Sequence, residues 1–456
     1  MVDVLLINPH EDFYDVPKKK GFAIYPPMGL MYLSAVLKKN NISANIIDAL
    51  AERINLNDLS DKIDKLNPKV IGITATTPQI RGAIQLAKSL KLKNKNIKIC
   101  LGGAHISNDA SFMNKFPYFD FCVVGEAETV FPNIVKDILS KKKIKKVYIG
   151  EAVSNLDNLP LPDWESINRN LYYIPNAKNF VTIHSSRGCP FNCSYCSKIK
   201  MPVRLRSPKN VIREINFYIK KYNIDYVLFT DDTFTLNKNR VKLLCEMMIK
   251  KQLKISWACE TRADLVDKNI LSLMKKAGCD EISFGVETGN EKLRFEVINK
   301  HIKNLQYLQA FKICNNLGIK TNAFFMMGFP KEDIPSLEDT LNFILELKPT
   351  IFGVHLTVLF PGSDIYKTAL KEGKINENTW YKIFSGKINE LPLYIPDHLS
   401  FEILNDFRRK IYKKFYLRPS FIIKRMFYSL THHSVMADLS IFLDLLFKGK
   451  TKTGRP

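Results

Sequence analysis

The chain has 456 residues, too many for one ordinary domain, and 46% of them are hydrophobic, enough to fill more than one core. Its formal net charge is +23, but lysine, isoleucine and asparagine are abundant along the whole length, so the excess reads as a compositional bias more than as a nucleic-acid footprint. Nine cysteines, three of them within eight residues, exclude a secreted disulfide framework. The other six (Cys100, Cys122, Cys245, Cys259, Cys279 and Cys314) sit among apolar neighbours, as small core side chains do.

The apolar run after Met1 is too short for a signal core, and no stretch reaches the roughly 18–20 apolar residues of a membrane span. The candidate at 435–447 is shorter and carries Asp438 and Asp444. A cytoplasmic protein is expected. In chain order, strands are predicted at 2–8, 44–48, 70–74, 97–102 and 119–124, with helices between them, as at 29–39 and 79–90. This alternation predicts α/β architecture, a parallel, doubly wound (Rossmann-like) sheet over residues 1–150. Ligands of such sheets bind beyond the carboxyl ends of the strands. That rule singles out Thr74 and Thr76 after the third strand, Gly102, Gly103 and His105 after the fourth, and Gly125 and Glu126 after the fifth.

Residues 151–179 read as an extended linker, because Pro160 and Pro162 remove donors and disfavour helix before them. A second alternation then places strands at 181–185, 226–230, 255–259, 281–286, 321–327 and 352–359. About six βα units predict an incomplete TIM-type barrel over 180–385. Residues 386–456 form a basic and mostly helical region.

Between the first two barrel strands stands Arg187-Gly188-Cys189-Pro190-Phe191-Asn192-Cys193-Ser194-Tyr195-Cys196, spaced C-x3-C-x2-C. Three thiolates on one loop can each hold an iron of a 4Fe–4S cube and leave the fourth iron open. The amine and carboxylate of S-adenosylmethionine (SAM) can chelate that corner, and an electron from the cluster then cleaves the sulfonium to give a 5′-deoxyadenosyl radical. A structural zinc site competes, but zinc asks for four protein ligands. No fourth thiol is near, and His184, five residues before Cys189, lies on a predicted strand.

This spacing, with an aromatic residue before the last cysteine, resembles the radical SAM superfamily. The resemblance extends to Thr230-Asp231-Asp232-Thr233-Phe234, where the family contacts the SAM amino group, and to Ser283-Phe284-Gly285-Val286-Glu287-Thr288-Gly289, which resembles the strand approaching the ribose and methionine. It implies that Asp231, Asp232 and Glu287 contact SAM; ordinary strand-end polarity is the competing account. Arg262 is equally a solvated arginine or a carboxylate clamp.

A doubly wound domain before such a barrel resembles the cobalamin-binding subfamily, as do Pro26-Pro27-Met28-Gly29-Leu30, Gly102-Gly103-Ala104-His105, Gly125-Glu126-Ala127-Glu128 and Leu159-Pro160-Leu161-Pro162-Asp163. The similarity covers roughly residues 1–370. It implies a B12-binding domain in which Thr74, Thr76, Gly102, Gly103, His105, Gly125 and Glu126 meet cobalamin. The D-x-H-x-x-G motif of cobalt-ligating domains is absent; His10 stands in Asn8-Pro9-His10-Glu11-Asp12. The methylthio-transferase group fits less well, because its second cluster needs three cysteines where residues 1–150 hold only Cys100 and Cys122.

Eight basic residues and no acidic one lie between Arg408 and Arg425, interleaved with Tyr412, Phe415, Tyr416 and Phe421 and followed by Phe427 and Tyr428. Three accounts stand: a solvated face over an aromatic packing stripe, an anionic membrane surface at the inner face, or nucleic acid. Phe415-Tyr416-Leu417-Arg418-Pro419 resembles the tail of members acting on lipids and tetrapyrroles, which favours a small, lipid-like substrate over nucleic acid. The expected activity is SAM cleavage followed by cobalamin-dependent methyl transfer to an unactivated carbon, with flavodoxin or ferredoxin as reductant. Radical oxidation, cyclisation or rearrangement is the runner-up, and a cobalamin- or redox-sensing regulator is the alternative from another class.

Overall fold

A computed structural model describes residues 2–10, 23–174, 177–197, 199, 201–419 and 421. The residues Glu11, Asp12, Lys424, Arg425, Phe427 and Tyr428, and the segment 435–447, lie outside the described residues.

The first sheet comprises β1 (Val4–Asn8), β2 (Ala44–Asp48), β3 (Val70–Thr74), β4 (Lys98–Gly102), β5 (Phe121–Gly125) and β6 (Val147–Gly150). Its order is β2-β1-β3-β4-β5-β6, every pair parallel. The order reverses direction between β1 and β3, which is the doubly wound arrangement expected. β1 and β3 are short apolar runs buried on both faces, as strands covered by helices on each side must be. The sequence reading did not include β6: its Val147, Tyr148 and Ile149 are exposed or half-buried at the sheet edge, so no apolar run marks it.

The second sheet contains β7 (Phe180–Ile183), β10 (Tyr226–Phe229), β11 (Ser256–Thr261), β12 (Cys279–Glu287), β13 (Lys320–Met327) and β14 (Ile351–Leu356), all parallel in the order β14-β13-β12-β11-β10-β7. A two-stranded hairpin, β8 (Ser186–Arg187) with β9 (Arg204–Leu205), brackets the cysteine loop. Six parallel strands with β7 and β14 as the outer ones make the incomplete barrel. The period of two is plain on β13: Thr321, Ala323, Phe325 and Met327 are buried against helices, while Lys320, Asn322, Phe324 and Met326 are half-buried on the other face.

Helices are seated by local chemistry. Pro208–Tyr222 starts with Ser207 Oγ accepting from Asn210 N at 3.2 Å, has proline at its first position and ends on Asn223 in the left-handed region. The linker does not run free. Trp164 is buried, and Asp163 accepts from Ser34 Oγ at 2.6 Å and pairs with Lys38 at 2.7 Å, both on the helix Met28–Lys39. The helix Thr379–Phe384 also returns to the first domain, where Trp380, Ile383 and Phe384 join its core.

The C-terminal region is helical at Phe401–Tyr416 but irregular between Ser385 and Ser400. This helix closes the exposed flank of β14. Phe352 stacks on Tyr412 (5.0 Å, 20°) and Tyr416 (5.4 Å, 17°), and Tyr412 Oη accepts from Val354 N at 3.0 Å. Tyr412, Phe415, Tyr416 and Phe421 are therefore a packing stripe, and Arg418 lies over the Phe415 ring at 3.9 Å. No described helix is long and apolar enough to cross a membrane. Tyr412→Phe leaves the buried Val354 N–H without an acceptor and is expected to cost about 1–2 kcal/mol, read as a lower denaturant midpoint at unchanged slope.

Candidate cofactor site between the two sheets

The carboxyl ends of both sheets border one cavity of about 330 Å³. From the first sheet come Thr74, Gly102, Gly103, Gly125 and Glu126; from the second come His184, Ser186, Arg187, Gly188, Thr230 and Asp232. At Gly102 and at Gly29, on the opening turn of the helix Met28–Lys39, an added Cβ would meet nothing within 4 Å. Gly103 has φ +99, and a Cβ there would lie 2.7 Å from the Ala75 backbone, so only glycine suits the position. The Thr230 hydroxyl is buried with no hydrogen-bond partner among the described residues.

Two arginines flanking the cysteine loop hold the domains against each other. Arg204 donates to both carboxylate oxygens of Glu126 at 2.8 Å, and Arg187 pairs with Glu126 at 3.2 Å and Glu128 at 2.8 Å. Val153 N donates to Glu126 at 2.6 Å. Burial alone would raise the Glu126 carboxyl, but Arg204, Val153 and Arg187 outweigh it and hold the group below its ordinary value.

The sequence-singled residues divide into those that reach the cavity and those bound to protein. Thr74, Gly102, Gly103, Gly125, Glu126 and Asp232 line it. Thr76 is turned instead to Gln79, its hydroxyl 3.0 Å from Oε1. His105 is buried between Phe112 and Phe384, with Nδ1 3.1 Å from Thr77 Oγ1, and burial pushes it down to about 4. Asp231 bonds Ser185 Oγ and Ser186 Oγ at 2.7 Å each, and the Ser186 N–H. Its burial raises the carboxyl, against the pull of those serines and Arg240. Glu287, also buried, accepts from Tyr195 Oη at 2.7 Å and Lys300 Nζ at 2.8 Å.

Arg262 is buried and not solvated: it bonds Asp264 at 3.0 and 2.9 Å and lies 3.6 Å over the Phe191 ring of the cysteine loop. His184 borders the cavity edge-on to Tyr32, at 6.1 Å between ring centres, and burial, aided by Arg187 and Arg206, pushes it down to about 3. Sequence reasoning missed Arg187 and Arg204 as functional residues. The signal available was two cationic residues at the feet of a cysteine loop facing Glu126-Ala127-Glu128.

The cysteines fit a cluster. Cys193 and Cys189 are half-buried and Cys196 exposed, whereas the other six cysteines are buried. The loop is fixed by Ser194 N to Ile298 O (2.9 Å) and Ile365 N to Ser194 O (3.0 Å). Cys189 Sγ lies 3.7 Å from Thr233 Oγ1. Among the described residues no three His, Cys, Asp or Glu groups converge to hold a single ion. Three thiols on one loop, none of them buried in the core, are the donors a metal cube with one iron per thiol needs. The cavity is smaller than a whole corrinoid with its tail; its wall joins glycines and apolar side chains to the Thr74 and Thr230 hydroxyls, the His184 ring and the charged Arg187, Glu126, Glu128 and Asp232.

The radical SAM superfamily model matches residues 183–344, and the B12 binding domain model matches residues 20–135. An uncharacterized methyltransferase from Pyrococcus horikoshii is 30% identical over 435 residues, 91% of this chain and 92% of that protein. The anaerobic magnesium-protoporphyrin IX monomethyl ester cyclase of Rubrivivax gelatinosus is 27% identical over 427 residues, 87% of this chain and 75% of that one. Among solved structures, the cobalamin-dependent SAM radical enzyme OxsB superposes with a TM-score of 0.71 at 16% identity, covering 99% of this chain and 74% of its own. The chain belongs to the radical SAM superfamily, in the branch that carries an N-terminal B12 binding domain. It is an enzyme whose cofactors are a 4Fe–4S cluster, SAM and cobalamin.

The clamp predicts an acid-sensitive contribution to stability. Glu126 has its folded value below the ordinary 4.5, so the contribution is whole above 4.5 and is lost as pH falls through the lowered value. Arg204→Met is expected to destabilise the protein by about 3 kcal/mol at pH 7 and to flatten the fall in stability between pH 5 and 3, measured by denaturant titration at each pH.

Proposed function

We propose that this enzyme transfers a methyl group from SAM, by way of cobalamin, to an unactivated carbon of an apolar small molecule. The observation that carries the proposal is the shared cavity: glycines of the B12 binding domain on one wall, and on the other Ser186, Arg187 and Gly188 at the foot of the cysteine loop with the strand-end residues His184, Thr230 and Asp232. When bound, the cluster and SAM supply a 5′-deoxyadenosyl radical and cobalamin supplies the methyl group. Cys189, Cys193 and Cys196 hold three irons. Asp232 and Thr230 are the polar groups offered to SAM, while Thr74, Gly102, Gly103 and Gly125 form the corrinoid's floor. Asp231, Glu287 and Glu126 act by holding the loops that carry these contacts.

The boundaries proposed are 1–150, 151–179, 180–385 and 386–456, with the linker and the helix Thr379–Phe384 docked on the first domain. An apolar substrate is supported by the likeness to a tetrapyrrole ester cyclase and by Phe324 and Met326 on the half-buried face of β13. A flavodoxin or ferredoxin is the proposed reductant. Exposed Lys413 and Lys414 are the described groups that support contact with an anionic membrane. The same likeness to a cyclase favours a second reading, radical cyclisation or oxidation without methyl transfer.

Anaerobic reconstitution with iron, sulfide and hydroxocobalamin, followed by SAM and a flavodoxin reducing system, tests the assignment. Wild-type protein is expected to retain iron and corrinoid on gel filtration and to release 5′-deoxyadenosine. The Cys189→Ala/Cys193→Ala/Cys196→Ala variant is expected to lose the iron, with deoxyadenosine falling to background. S-adenosylhomocysteine formed alongside supports methyl transfer, and deoxyadenosine alone favours the cyclase-like reading. Iron and turnover that survive the triple replacement rule out this ligand set.

A further inference from the structure

Beside the cysteine loop lies a buried ion pair. Lys300 is 5% exposed and Glu287 3%. Lys300 Nζ donates to Glu287 Oε1 at 2.8 Å and to the Gly285 carbonyl at 2.6 Å, and Tyr195 Oη donates to the same carboxylate oxygen at 2.7 Å. Space for this meeting exists because residue 285 is glycine: a Cβ there would lie 2.4 Å from Glu287 Oε1 and 2.8 Å from Lys300 Nζ. Glu287 has φ 69, a left-handed backbone that a glutamate keeps only when its surroundings impose it.

The segment around Lys300 grips the loop at two more points, Ile298 O to Ser194 N and Asn299 Nδ2 to Asn192 O, each 2.9 Å. Tyr195 directly precedes Cys196, and its ring meets Phe329 at 6.4 Å. Desolvating two charges roughly cancels their attraction, so stability is a poor reason for such a pair. Its position gives a better one: Lys300 follows directly on Ile298 and Asn299, which bond the cysteine loop, and the carboxylate it holds bonds Tyr195, the residue before Cys196.

We propose that Lys300 is a positioning residue for the iron–sulfur centre: it locks Glu287 onto Tyr195, which fixes the Cys193–Cys196 turn, and its charge favours the electron-rich cluster. One electron from the external reductant takes the cluster from 2+ to 1+, and a fixed positive charge nearby stabilises the more negative product. The inference rests on Cys189, Cys193 and Cys196 being the cluster ligands.

The test is an EPR-monitored redox titration of anaerobically reconstituted full-length protein without SAM. Lys300→Met is expected to shift the cluster midpoint downward, Glu287→Gln upward because the ammonium is left unbalanced, and Lys300→Arg to stay at the wild-type value. A purely structural role moves the first two in the same direction or moves neither, and either result overturns the proposal. Should Lys300→Met not accumulate as folded protein, Lys300→Met/Glu287→Gln, which leaves no unpaired buried charge, is compared with Glu287→Gln. A lower midpoint in the double variant supports the proposal, and an equal one overturns it. Failure of the ligand assignment is seen separately, as wild-type protein without a cluster signal.

Discussion

Two arginines crossing from one domain to two glutamates of the other set the working geometry of this enzyme. Arg204 grips Glu126 through both of its oxygens, and Arg187 divides itself between Glu126 and Glu128. Both arginines sit on the hairpin that brackets the cysteine loop, and both glutamates follow the last residue of β5. The contact thus ties the cluster loop to the carboxyl end of the first sheet. A guanidinium suits this task because its planar fork matches a carboxylate and stays charged. Each sheet offers ligands from its carboxyl ends, and the clamp brings the two sets of ends to one cavity.

The clamp imposes a chemical consequence. Charges sealed between domains have to be balanced locally, and most of the polar groups around the cavity are indeed bound to one another. Asp231 is spent on Ser185 and Ser186, Glu287 on Tyr195 and Lys300, and Glu126 on the arginines. The rest of the cavity wall is glycine, apolar surface, the Thr74 and Thr230 hydroxyls, Asp232 and the His184 ring, which burial keeps neutral at ordinary pH. Such a wall can approach a flat macrocycle closely and offers little to quench a carbon radical.

Much of this was legible in the sequence. Parallel strands covered by helices read as unbroken apolar runs, so the elements of both sheets were found with ends shifted by a few residues; β6 escaped because an edge strand half open to water carries no such run. The cysteine spacing and the glycines at the ends of β4 and β5 survive as local signals because their chemistry depends on neighbours in sequence. Residue orientation does not survive in the same way. Adjacent acids such as Asp231 and Asp232 are equivalent on paper, yet one is buried at 1% exposure and the other borders the cavity. Arg204 meets Glu126 across 78 positions and Tyr412 meets Val354 across 58, and no spacing rule reaches so far.

Groups that grip other parts of the protein and groups that face the cavity are different members of the same strand-end pairs. A radical enzyme must hold several loops still while leaving the space between them unreactive, and a side chain cannot serve both ends. In Asp231-Asp232 the inner acid closes the turn that launches the cysteine loop, leaving the outer one to face the cavity. In Glu126-Ala127-Glu128 both acids are drawn to arginines, and the cavity wall beside them is left to Gly125, Gly102 and Gly103. Where the second member is glycine, as at Gly102-Gly103, the backbone itself approaches and no side chain intervenes. The anchored acids Glu126 and Asp231 are thus bound to protein partners, each beside a neighbour that faces the cavity, Gly125 for one and Asp232 for the other.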